Sequence, residues 1–139
     1  MRTAQVVGAA SFVLIAIACV DRLPDQDLRI LQTTPVAKTS VDLLVQEYAT
    51  NAGDANRRYF GKAVEITGTV GKTQPMGAGT ALLFMPKAEP EKVALEAHLL
   101  DDRAAAIIEA VKTTPRITLR CFAETMSGAT VILKSCVVP

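Results

Sequence analysis

The sequence predicts a mainly β domain with two helices: a small five-stranded barrel, read along the chain as three strands, a helix and two strands, preceded by an N-terminal helix. Three observations predict it. Ala63 to Gly71 and Arg116 to Glu124 alternate apolar and polar residues, the period of a half-buried strand. One helical stretch, opened by Asp101 or Asp102, falls between the third and fourth of five strand-like segments. Half of the 139 residues are hydrophobic but only 4% are aromatic and none is Trp, so the core of a single domain must be built from Val, Leu, Ile and Ala.

The chain opens with Met1 and Arg2, a minimal positive region, followed by an apolar run from Val6 to Val20. At about 15 residues that run is shorter than the ~20 a helix needs to span a bilayer, and it fits the hydrophobic part of a secretory leader. Ala16-Ile17-Ala18 is a small-x-small cleavage signal with Cys19 directly after it. Residues 1–18 are therefore read as a signal peptide or membrane anchor, with three outcomes open: cleavage with a lipid on Cys19, plain cleavage, or an uncleaved anchor. The lipidation pattern departs from its usual form in having Ala16 three residues before the cysteine. All three outcomes place the folded domain outside the cytoplasm, periplasmic or extracytoplasmic, with the membrane as a partner through the N-terminus. Residues 19–38, with two Pro, several charges and little periodicity, read as a tether. The folded domain is expected over 39–139.

Thr39 or Ser40 caps a helix over about Val41 to Thr50, with Leu44 and Tyr48 one turn apart and Val41 and Val45 close to that face. The helix breaks near Asn51 to Gly53, Asp54 opens a second turn to Tyr59, and Gly61-Lys62 turns the chain. In the first strand, Ala63 to Gly71, Val64, Ile66, Gly68 and Val70 share a face. A glycine on that apolar face predicts a bend, a bulge or a close backbone approach. Lys72 to Gly79 reads as a flexible loop. The second strand is about Thr80 to Met85, Lys87 to Glu91 is a turn, and the third strand is about Lys92 to Leu99. A helix follows to about Val111 with Ala105, Ile108 and Val111 apolar. Pro115 opens the fourth strand, Arg116 to Glu124, and the fifth runs from about Thr130 to Val138. A helix between strands three and four of five is the layout of the OB-fold, a partly open Greek-key barrel.

Tyr48, Asn51, Ala52, Ala55, Tyr59, Gly61-Lys62, Val64, Ile66, Gly68 and Val70 resemble the opening signature of the bacterial tRNA_anti-like OB-fold family: a helix, an Asn-Ala-x-x-Ala-x-x-x-Tyr run, Gly-Lys, then alternating Val/Ile with Gly. The resemblance covers about residues 39 to 138 and implies an OB barrel, often exported or membrane-anchored. The family's name records similarity to anticodon-binding domains.

Three cysteines divide into Cys19 at the leader and Cys121 with Cys136 in the last two strands. An exported compartment permits a disulfide between the latter two. Direct pairing requires a hairpin centred between Gly128 and Ala129; otherwise two buried thiols remain. Family members often carry Cys in the same two strands.

Binding residues are sought where OB domains touch ligands. Arg57, Arg58 and Lys62 form a basic cluster that suits phosphate or an acidic partner, and equally suits a solvated helix end. Gln74 and Met76 lie on the loop after strand one, and Phe84 is the ring offered by strands two and three, with Phe122 on strand four a further one. Without Arg2 the charge is 14 basic against 14 acidic residues, which removes the electrostatic footprint of a non-specific nucleic-acid binder. His98 is the only histidine and has no cysteine at ligand spacing, so no metal site is expected. No catalytic constellation assembles. The expectation is a non-catalytic binding module without cofactor, meeting a partner in the cell envelope; a nucleic-acid-binding domain and a structural envelope component are the alternatives.

Overall fold

The structure, a computed structural model, describes residues 24–139. After a 3-10 turn at Leu28–Leu31 come β1 (Ala37–Ser40), α1 (Val41–Thr50), α2 (Ala52–Tyr59), β2 (Ala63–Thr69), β3 (Lys72–Met76), β4 (Gly79–Phe84), β5 (Leu95–Leu99), α3 (Asp101–Thr113), β6 (Arg116–Ser127) and β7 (Thr130–Val137). The strands form one mixed sheet in the order β1-β2-β6-β7-β5-β4-β3, with β1–β2 and β5–β7 parallel. The expected five-stranded barrel with two helices is thus corrected, among the described residues, to a mainly β fold with three α-helices and an open seven-stranded sheet. The two additional strands carry weak sequence signals. β1 has four residues, and β3, Lys-Thr-Gln-Pro-Met, is polar and holds a proline, which an edge strand tolerates because one side of its backbone is unpaired. The stretch expected as a flexible loop is therefore half of a hairpin with β4.

The sheet is strongly coiled. β2 and β3 stand second and last in its order, yet only Val70 and Gly71 separate them. Five inter-strand steps of about 4.8 Å would part them by about 24 Å in a flat sheet, beyond the reach of two residues. The linking amides bond to opposite neighbours, Val70 N to Pro115 O at 2.8 Å and Gly71 N to Leu83 O at 2.9 Å. Inside the coil lie Leu44, Tyr48, Val64, Ile66, Leu82, Phe84, Leu95, Leu119 and Leu133, all buried. Gly68 is explained by close approach. A Cβ there would meet Val41 Cγ2 at 2.5 Å, so the missing side chain lets the first turn of α1 lie on β2.

The β6–β7 hairpin turns at Gly128-Ala129, with Ser127 opposite Thr130 and Gly128 at φ +61°. Two irregularities follow. β6 carries one extra residue between Ala123 and Met126, and β7 carries one between Lys134 and Val137. They cancel, which returns Cys121 to a place opposite Cys136, and the two form a disulfide with Cα atoms 4.2 Å apart.

The second irregularity holds Ser135, which has φ +55° and is completely buried. Its Oγ accepts from Asp27 N at 2.8 Å and donates toward Asp25 O at 2.9 Å and Pro24 O at 3.3 Å. The tether expected over 19–38 is accordingly corrected from residue 24 onward. Ile30 is fully buried with Ala63, Leu100, Phe122 and Val137. Gln26 Oε1 accepts from Asp101 N at 2.8 Å and so caps α3, where the sequence points to Asp101 or Asp102 themselves. Asp25 and Glu124 flank the Lys134 ammonium at 2.5 and 3.4 Å. Burial lowers the Lys134 pKa, but the two carboxylates outweigh it and leave the net shift upward.

Two outcomes follow. Cys121→Ser/Cys136→Ser should lower unfolding free energy by about 3 kcal/mol, the chain-entropy value for a loop of this length; urea titration beside the oxidised wild type measures it, and an unchanged midpoint would contradict the bond. Gly68→Ala should cost about 1–3 kcal/mol through overpacking. Adding Val41→Ala should recover part of that loss, whereas simple additivity would show that Val41 is not the obstacle.

Candidate binding surfaces

The residues of the Tyr48–Tyr59 signature build a helical elbow. Asn51 ends α1 and caps α2, its Oδ1 accepting from Asp54 N at 3.1 Å. Ala55 is buried, and the Tyr48 and Tyr59 rings pack with centroids 6.3 Å apart. Glu47 ties the two helices together. Its Oε2 accepts from Tyr59 Oη at 2.6 Å and from Arg58 Nη1 at 3.0 Å. Burial, then the nearby Tyr59 and Glu47, push the Tyr48 phenol up to about 12, so it stays protonated. A cleft of about 380 Å³ opens between the helices, lined among others by Leu43, Gln46, Glu47, Thr50, Asp54 and Arg58. Leu43 points away from the apolar stripe of α1 and is 57% exposed.

The basic cluster is largely spent within this elbow. Arg57 pairs with Asp54, and Arg58 pairs with Glu47 while lying over the Tyr59 ring at 5.6 Å. Lys62 is exposed in the turn before β2.

The second surface is the outer face of β3, β4 and β5. Leu82, Phe84, Leu95, Ala97 and Leu99 point into the core, so the residues between them face outward. On that face Gln74 lies opposite Ala81 and Lys72 opposite Leu83. Ala81 and Leu83 form an apolar floor, 0% and 4% exposed, beside Glu96 and His98, whose side chains hydrogen-bond at 3.1 Å. At one end a groove of about 220 Å³ runs between the β3–β4 turn, including half-buried Met76, and Asp25, Gln26, His98 and Asp101.

The six residues expected to bind ligand do not converge. Arg57, Arg58 and Lys62 belong to the elbow and its turn, and Gln74 and Met76 to the sheet face. Phe84 is corrected to a core residue, 2% exposed, because the continuous apolar run Ala81 to Phe84 gives no alternation from which to read its direction. Phe122, the other ring sought on the surface, is covered by Ile30 and by Arg29, whose guanidinium lies 5.7 Å from its centroid. Cys19 and the leader lie outside the described residues. Among the described residues no group of three or more His, Cys, Asp or Glu could hold a metal ion. Sequence reasoning missed the cleft. Glu47 reaches partners 11 and 12 residues away, a separation with no periodic signature, and Leu43 stands out only as an apolar residue off the helix's buried stripe.

A crystal structure of a candidate nucleic acid-binding lipoprotein from Klebsiella pneumoniae subsp. pneumoniae has a similar fold, with a TM-score of 0.56 and 16% identity over 81% of this chain and 97% of that one. At that identity the likeness speaks for the fold alone. No curated protein matches the chain. The tRNA_anti-like family model matches residues 1–137, in agreement with the signature built into the elbow and β2: the chain belongs to the tRNA_anti-like family.

Proposed function

We propose that this protein is an exported, non-catalytic binding module, anchored to a membrane by its N-terminus, that meets a protein partner in the cell envelope through the α1–α2 cleft. One observation carries the choice of partner class. Of the described aromatic residues, Tyr48, Tyr59, Phe84 and Phe122 are buried and only Phe60 is substantially exposed, at 40%. Single-strand binding draws on exposed rings for stacking and on an uncompensated basic groove, whereas here Arg57 and Arg58 are paired with carboxylates. The cleft instead offers an exposed leucine beside a fixed Arg–Glu–Tyr network, the mixture of apolar anchor and oriented polar groups that protein interfaces use. The Cys121–Cys136 disulfide supports an oxidising compartment, and the lipoprotein described for the Klebsiella neighbour supports membrane attachment. The connection order of β2 to β7 supports an OB-type barrel in which β2 and β3 act as one coiled first strand.

The neighbour's description as nucleic acid-binding favours a second reading, with Arg57, Arg58 and Lys62 as phosphate contacts. One pair of measurements separates the two. A photocrosslinker at Gln46 in native membranes should give a discrete protein adduct that Leu43→Glu removes, while oligonucleotides at low micromolar protein should show no salt-dependent shift. A shift that falls with salt and is abolished by reversing the charge of Arg57, Arg58 and Lys62 would replace the first reading with the second.

A further inference from the structure

We infer that the β3–β4 turn and the groove beside it face the bilayer that holds the N-terminus, so that the domain sits against the lipid surface in one orientation. This rests on the anchoring reading above. The number of residues between the apolar run and the described domain sets the constraint. Were residues 19–38 a flexible tether, about 20 residues would give a root-mean-square reach of about 25 Å and let the domain turn freely. The chain is instead fixed from Pro24, whose carbonyl bonds to Ser135, and from Asp25 and Gln26, which bond to Lys134 and Asp101. The apolar run ends at Val20. Four residue steps then reach Pro24, at most about 14 Å of extended chain, and a lipid on Cys19 would add one step more. Each interfacial layer takes up about 5–7 Å of that, which leaves less than half the roughly 34 Å diameter of a domain this size. The surface around Pro24 therefore stays within about 12 Å of the headgroups.

The composition of that surface suits a lipid boundary. From Thr73 to Met85 no residue is charged. Gly77 and Ala78 are exposed at the tip, and the turn shares its groove with Asp25 and Gln26, beside the point where the chain emerges. Of the neighbouring acids, Asp25 shares the Lys134 ammonium with Glu124, and Asp101 Oδ1 accepts from the Gln26 side-chain amide at 3.3 Å. The α1–α2 cleft shares no residue with this surface, which leaves it open to a partner.

The test uses the full chain purified from native membranes and reconstituted into vesicles of equal parts phosphatidylethanolamine and phosphatidylglycerol. A fluorescent amino acid replaces Ala78 or, for comparison, Gln46, and nitroxide-headgroup lipid serves as quencher. Quenching should be several-fold stronger at 78 than at 46. A flexible Gly/Ser insertion of about 20 residues between Leu23 and Pro24 should abolish the difference. Protein that floats with the vesicles but is quenched equally at both positions overturns this inference and leaves the anchoring intact. Protein that does not float overturns the anchoring reading, and this inference with it.

Discussion

A single buried hydroxyl holds the beginning of the folded chain to its end. Ser135 Oγ takes the Asp27 amide and gives its proton to the carbonyls of Asp25 and Pro24, and it is placed to do so by a left-handed backbone at φ +55°. For a residue with a Cβ that conformation costs on the order of 1–2 kcal/mol, less than the combined cost of stranding a buried amide and a buried hydroxyl. The same irregularity in β7 restores the register that sets Cys121 against Cys136. One local distortion thus serves both the docking of residues 24–31 and the covalent closure of the last hairpin. Around it the segment does further structural work: Ile30 fills the space over Phe122, Gln26 caps α3, and Asp25 compensates Lys134.

The helical elbow shows how a family signature can be structural while still shaping a surface. Asn51 fixes the turn between α1 and α2, Ala55 allows them to approach, and Gly68 lets α1 lie on β2. These residues act first through capping and close packing. Their packing sets Glu47, Arg58 and Tyr59 in one network and leaves Leu43 beside an open cleft. Pairing within the elbow also accounts for a basic cluster that reads as phosphate-binding in one dimension and is partly neutralised in three.

What could be read in the sequence follows from where local and tertiary signals agree. The span of α1 and the turn of the last hairpin are legible because caps, periodicity and turn residues coincide there. The hairpin centre even states the condition for the disulfide, although the two cancelling irregularities that satisfy it leave no local trace. β1 and β3 were illegible because an edge strand needs neither alternation nor β-branched residues when its neighbour supplies the pairing. The segment from Pro24 to Lys38 looks like a tether because its contacts are single and distant: a hydroxyl 108 residues away, an amide 75 away, one isoleucine. The cleft was illegible for the same reason, since it is made by two helices that rest on different strands, α1 on β2 and α2 on β6.

The segment from Pro24 belongs to the folded domain and is fastened to it by Ser135. Native-state hydrogen exchange at the Asp27 amide measures this attachment. Protection comparable to that of the β7 amides is the predicted result, because the Asp27 N–H is buried against Ser135. Exchange at the rate of an unstructured peptide, with β7 still protected, would contradict the account and return residues 24–38 to a tether.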